Sequence, residues 1–276
     1  MKQLEPILIV ELFPEERTEL LKLLSQLSAE GWNRPTICTG WSVKDVALHL
    51  LGDDVGLLSR APDFKFPASG NINDWETLVT FINQANELWI QATRRMSPGL
   101  LCKFLEFTGE EVYRRLGSLD LFALGEPVDW AGPQPAPIWL DVAREYTERW
   151  MHQQHIRDAV GKPGLTEPHF FGPVLDAFVR ALPHTFRHVQ AESGALVKLT
   201  ISGEAGGEWF LRREGETWTL YQEITSRPDA AVTMDQEIAW RLFTKGLSKP
   251  EAQDRITFEG NHALGLNILD MVSIIA

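Results

Sequence analysis

Cysteine is scarce: Cys38 and Cys102 are the only two among 276 residues, and no CxxC pair occurs. That excludes a disulfide framework and fits a reduced, cytoplasmic setting. Positive charge is also short, with 26 Lys and Arg against 38 Asp and Glu. The deficit runs the length of the chain, at 25 acidic to 18 basic residues up to position 189 and 13 to 8 beyond it. A nucleic-acid partner needs a concentrated basic surface, so none is expected. Long apolar runs are missing. The start offers only Ile7 to Val10 between Glu5 and Glu11, short of a signal-peptide core, and nothing approaches the about 18 to 20 apolar residues that span a bilayer. No membrane partner is expected. With 21 Gly and 16 Pro beside 44% hydrophobic and 23% charged residues, disordered and fibrous classes are excluded. P-loop, Gly-rich dinucleotide turn, serine nucleophile elbow and HExxH motifs are absent as well, which removes several large enzyme classes.

What is present divides into two patterns, and the length suits two domains. Over residues 1–165 apolar positions recur at three and four, the period of helices. One helix is expected over Pro14 to Ala29, with Leu20, Leu21, Leu23, Leu24 and Leu27 as its buried stripe. A second starts at Ser42, where Asp45 three residues on completes a capping-box pair. Others are expected over Asp74 to Met96, after a Gly70/Asn71/Asn73 turn cluster, and over Leu100 to Leu116. Residues 117–137 read as a long Gly- and Pro-rich loop. A helix from Ile138 to Val160 follows, ended by Gly161 and Pro163. Residues 166–189 are expected to form a connecting helix disturbed at Pro183. From 190 to 276 the period changes to two. VKLTI, EWFLRR, TWTLYQE and AAVTMD read as strands, QEIAWRLFTKGL as a helix, RITFEG as a fifth strand, and NHALGLNILDMVSII as a closing helix capped by Asn261. The expected fold is a multi-domain α and α+β chain, a helical bundle followed by an α+β domain.

Chemistry concentrates on two of these helices. Glu148, His152 and His155 lie at offsets 0, 4 and 7 on the Ile138 helix, so they share one stripe. His49 and Asp53, four apart on the Ser42 helix, also project together. If the two helices face each other, His49 converges on Glu148 and His152, and two imidazoles with one carboxylate make an open divalent-metal site. Asp53 and His155 are candidates for outer partners that fix imidazole tautomers, with His155 also able to serve as a ligand. Glu145, three before Glu148, competes for the carboxylate role. The same spacings occur on solvated helix faces, and a histidine in the apolar run VALHLL is also consistent with a satisfied core residue. Cys38 has no evident neighbouring base or helix start to lower its pKa and reads as structural. Surface or capping roles are expected for His169, His184, His188 and His262. Trp32 and Trp41 read as core or rim aromatics. Trp209, Trp218 and Trp240 are core residues or the lining of a pocket in the second domain.

The stretch GWSVKDVALHLLGDD resembles the second-helix motif of the DinB-like superfamily, in particular the mycothiol-dependent maleylpyruvate isomerase family. The upstream GWNRPTICTGW and the later ERWMHQQHIRDAVG are similar to that family's lead-in and its Glu-x3-His segment. The resemblance implies a DinB-like four-helix bundle in which His49, Glu148 and His152 bind a metal. At position 155 it departs from the family, which usually carries an acid or amide there. The end of the chain, ITFEGNHALGLNILD, looks like a sterol-carrier-like α+β domain. The implied cofactors are a divalent metal, zinc first with nickel or iron as alternatives, and a low-molecular-weight thiol such as mycothiol. The implied activity is thiol-dependent isomerisation or S-transfer on a small electrophilic substrate, by a monomer or homodimer. A small-molecule or lipid binding protein with a structural metal, and a metal-dependent hydrolase, are the competing readings.

Overall fold

The computed structural model describes residues 1–60 and 75–274. In chain order a two-residue strand β1 (Lys2–Gln3) precedes α1 (Leu12–Ser25), a single turn α2 (Ala29–Trp32), α3 (Val43–Leu58), α4 (Trp75–Thr93) and α5 (Pro98–Gly117). Strands β2 (Leu124–Pro127) and β3 (Pro135–Pro137) lead into α6 (Ile138–Val160), α7 (Pro168–Val179) and α8 (Leu182–Thr185). Then come β4 (Leu196–Ser202), β5 (Gly207–Glu214), β6 (Thr217–Glu223), β7 (Ala230–Asp235), α9 (Gln236–Phe243), α10 (Lys249–Gln253), β8 (Thr257–Gly260) and α11 (His262–Leu266). The chain divides into two compact units. One holds Ile9–Asp120 and Glu148–Leu165 and is helical; the other holds Met1–Leu8, Leu121–Thr147 and the chain from Thr166 onward.

In the helical unit α1, α3, α5 and the end of α6 share a core of Leu20, Leu24, Val46, Leu50, Leu105 and Ile156. Fully burying each such aliphatic side chain stabilises the fold by about 1.5–3 kcal/mol before chain entropy is counted. The start of α3 is fixed by its cap. Ser42 Oγ accepts from Asp45 N–H at 3.3 Å, while Asp45 Oδ2 accepts from Ser42 N–H at 3.0 Å. Against the apolar background stands a buried polar knot. Asp54 accepts from Arg17 at 2.8 and 3.1 Å, from Arg149 at 2.9 Å and from Thr108 Oγ1 at 2.6 Å. Burial alone would raise the Asp54 carboxyl, but the two guanidinium groups and the hydroxyl hold it below the usual carboxylate range. Arg149 belongs to α6 and Asp54 to α3, so the ion pair ties these two helices together.

In the other unit a six-stranded sheet runs in the order β1-β6-β5-β4-β7-β8. Its pairs are antiparallel except β4 with β7, where Val197 faces Ala230 and Ser202 faces Asp235 in parallel register. Residues 166–189, expected as a connection, lie in this unit, with Phe171, Val174, Leu175 and Phe178 fully buried.

Several element boundaries differ from the sequence reading. The expected loop at 117–137 contains the β2/β3 pair, with Leu124 opposite Pro137. A three-residue Pro-Ala-Pro strand has no visible period, and proline reads as a breaker. The 170–187 helix breaks at Ala181 instead of Pro183, which sits in the first turn of α8, where a missing N–H costs nothing. The helix from Gln236 ends at Phe243 because Lys245 turns left-handed at φ 61°. Asn261 does cap the last helix, its Oδ1 accepting from Leu264 N–H at 3.1 Å. That helix stops at Leu266 and gives way to a 3-10 turn over Asn267–Asp270. Beyond it Ser273 bonds the carbonyls of Phe243 and Phe178 at 2.9 Å each, so tertiary hydrogen bonds replace helical ones. The turn cluster at Gly70, Asn71 and Asn73 and the start at Asp74 lie outside the described residues.

Candidate metal centre

His49 sits midway along α3, buried within the apolar run Val46 to Leu51. Its Nε2 points across to α6, 3.3 Å from Glu148 Oε1. One helical turn after Glu148, His152 brings its own Nε2 to 3.0 Å from the same oxygen. The two imidazole rings meet edge to face, with centroids 4.6 Å apart and planes at 74°. Two ring nitrogens and one carboxylate oxygen from α3 and α6 thus gather at one point, as the sequence spacing required for a metal site. Bond lengths of 2.0–2.2 Å in a tetrahedral zinc site put neighbouring ligand atoms about 3.3–3.5 Å apart. The Nε2 to Oε1 separations here match that scale, so the donor set fits a divalent cation in both type and spacing.

The electrostatics belong to the same arrangement. Burial works to raise the Glu148 carboxyl, yet hydrogen bonds from His152 and His49, with their charge, hold it well below the usual carboxylate range. Burial pulls His49 down, but Asp53 and Glu148 outweigh it and the imidazole is raised. Burial and the charge on His49 lower His152 despite Glu148.

The remaining candidates fall in different places. Asp53 Oδ2 lies 3.2 Å from His49 Nε2, the nitrogen that also faces Glu148. An outer partner that fixes a tautomer would sit on Nδ1. Asp53 therefore lies beside the Nε2 edge of the ring, not behind it, because a side chain one turn further along α3 reaches that edge. His155 lies on the other side of His152, with its Nδ1 3.4 Å from His152 Nδ1, and does not join the His49 and Glu148 group. Glu145 pairs with its neighbour Arg144 and is in neither cluster of possible ligands among the described residues. Cys38 departs most from expectation. Its Sγ is 3.3 Å from His155 Nδ1 and 4.0 Å from His152 Nδ1. These bases come from more than a hundred residues away in sequence, where no local reading of Cys38 finds them. Burial raises its thiol pKa, with a hydrogen bond from Thr36 opposing.

Trp32 is a core residue, and Trp41 packs beside His49 with centroids 5.2 Å apart. The indoles of Trp209, Trp218 and Trp240 are buried and donate to Asp176, Val189 O and Glu237. They are core members. His169 stacks on Phe170 and His262 on Phe258. What holds the metal candidates in register is Arg149. It follows Glu148 directly and pairs with Asp54, which follows Asp53 directly, so a buried ion pair one residue away fixes how α3 meets α6.

A helical bundle that turns two imidazoles and a carboxylate inward from two helices, on a chain that also carries an α+β sheet unit, is a bundle scaffold with a candidate metal centre. The chain belongs to an enzyme family: the model of the mycothiol maleylpyruvate isomerase N-terminal domain matches residues 13–157. Among solved structures, a crystal structure of an alanine variant of the mycothiol-dependent maleylpyruvate isomerase is similar at TM-score 0.54 and 13% identity, covering 94% of this chain and 96% of that one. A second crystal structure, of the mycothiol-dependent maleylpyruvate isomerase, gives TM-score 0.50 at 13% identity, covering 88% and 91%. At this identity the likeness is one of fold. No curated protein matches.

Proposed function

We propose that this protein is a metal- and thiol-dependent cis–trans isomerase of the maleylpyruvate isomerase type, with His49, Glu148 and His152 as metal ligands and mycothiol or an equivalent small thiol as cofactor. The observation that carries the proposal is the approach of two Nε2 atoms to one Glu148 oxygen, within 3.3 Å, at the three positions where the family resemblance puts ligands. A divalent cation held there, zinc foremost, would supply Lewis acidity that lowers the pKa of the cofactor thiol.

The chain's own residues do the rest. His49 and His152, buried and held at fixed angles by α3 and α6, orient the donor set. Asp53 Oδ2, at the ligating edge of His49, is placed to accept the thiol proton. Trp41, against the His49 ring, keeps bulk water from that side. A small thiol bound beside the metal centre would supply a nucleophile that adds reversibly to a conjugated cis double bond, which would permit rotation there and return the thiol unchanged on elimination. The sterol-carrier-like reading of the C-terminal part belongs to the same proposal.

The test is direct. Metal-reconstituted full-length protein is mixed with mycothiol and maleylpyruvate, and the trans isomer is followed by NMR. Expected are turnover that needs both metal and thiol, no net thiol consumption, and loss in His49→Ala beyond the about 10–100-fold typical of outer-sphere changes. Absence of trans product from protein verified to hold metal overturns the proposal.

A further inference from the structure

Three donors on the far side of His152 remain unused by that chemistry. Cys38 Sγ, His155 Nδ1 and His152 Nδ1 form a triangle with sides of 3.3, 3.4 and 4.0 Å. Zinc bond lengths of about 2.3 Å to sulfur and about 2.0–2.1 Å to nitrogen predict tetrahedral edges of about 3.3–3.6 Å, so two sides already match and the third closes with a small movement of the thiol. Both histidines are buried and Cys38 is half-buried.

The cysteine is held in place by a closed turn ahead of α3. Thr36 Oγ1 accepts from Cys38 N–H at 3.2 Å and donates to Trp41 O at 2.9 Å, while Trp41 N–H bonds Cys38 O at 2.9 Å. Gly40 supplies the left-handed residue this turn needs, at φ 83°. On α6, His155 follows His152 by three residues and so stands over the same face.

We propose that Cys38, His155 and the Nδ1 of His152 form a second cation site, for thiophilic cations such as Zn²⁺, Co²⁺ or Cd²⁺, back to back with the first. The two sites share one imidazole. His152 offers Nε2 to the Glu148 side and Nδ1 to the Cys38 side. One thiolate with two imidazoles is a softer set than two imidazoles with a carboxylate, so the second site selects softer cations than the first. Binding displaces the thiol proton of Cys38 to solvent, since a coordinated thiol is deprotonated, and leaves the fourth position to water or a small ligand; when both sites are filled the ring proton of His152 is released to solvent as well, and the ring bridges the two cations as imidazolate.

Cobalt(II) titration of the full chain separates the two sites, because only sulfur ligation gives a near-ultraviolet thiolate-to-cobalt charge-transfer band. The band is expected in the parent and in Cys102→Ser, absent in Cys38→Ser, and weakened at least tenfold in His155→Ala. It is expected to survive in His49→Ala, which removes a ligand from the first site alone, so the result stands apart from any isomerase assay. No band at cobalt excess in the parent, or a band that persists in Cys38→Ser, overturns the second site. Should the Cys38 or His155 variants fail to fold, alkylation serves instead. In His49→Ala, Cd²⁺ is expected to slow iodoacetamide modification of Cys38 at least tenfold while leaving Cys102 unchanged, and equal rates at Cys38 with and without Cd²⁺ overturn the proposal.

Discussion

A single carboxylate carries a large share of the burden in the helical unit. Asp54 is wholly buried and takes four hydrogen bonds from Arg17, Arg149 and Thr108. Breaking a buried pair by removing one partner costs about 3–5 kcal/mol, because the other charges are left without compensation. Asp54→Asn is therefore expected to lose stability of that order at neutral pH in denaturant unfolding. The pH dependence follows from the depressed carboxyl. A carboxylate with a lowered folded pKa stabilises fully above its unfolded value of about 3.9, and that contribution drains away as pH falls from there through the folded value. The gap between parent and Asp54→Asn is expected to be constant above about pH 5 and to narrow below about pH 4. A constant gap down to pH 2 would mean that the ion network contributes nothing through ionisation. At this scale the sequence was partly legible. The His49, Glu148 and His152 set could be proposed because helical periodicity and the family motif agree, whereas Asp54 stands in the motif GDD with nothing to mark it as the more deeply buried of the pair. The neighbourhood of Cys38 was invisible for the same reason, since its partners arrive only through folding.

At the scale of elements, α3 is packed on one side by a glycine contact. A Cβ at Gly52 would come 2.8 Å from Trp89 Nε1, whose N–H already donates to Leu48 O at 2.7 Å. Alanine normally gains about 1 kcal/mol over glycine inside a helix. Here overpacking against a rigid indole costs about 1–3 kcal/mol, so Gly52→Ala is expected to lower the melting temperature despite its better propensity. A rise would show that α4 shifts freely away from α3. Strands and long helices were readable because each repeats its period over enough residues to show it and the helix caps are chemical, as Ser42/Asp45 and Asn261 show. The β2/β3 pair, the break at Ala181 and the short α11 were not, since each depends on contacts distant in sequence or spans too few residues to show a period.

For the whole molecule the candidate metal ties local chemistry to global stability. A ligand that binds only the folded state at a hundred times its dissociation constant adds about 2.7 kcal/mol. Zinc is expected to raise the melting temperature of the parent and to leave that of a His49→Ala/Cys38→Ser double variant unchanged, with added hydrogen-exchange protection concentrated in α3 and α6. No shift in the parent at millimolar zinc would count against cation binding. None of the helices among the described residues is long and apolar enough to cross a membrane. That the chain has a helical and a strand-rich part was legible from the change of period near residue 190, but the path between them was not. The division of the chain falls after Leu8, Asp120, Thr147 and Leu165, once inside α6 itself. No single cut yields either part whole. A fragment ending at 165 keeps Val128, Trp130, Val142 and Tyr146 without the residues from Thr166 onward that complete their unit. Either unit made alone would need several stretches of chain joined at once, so a single truncation leaves one of the two with an incomplete core.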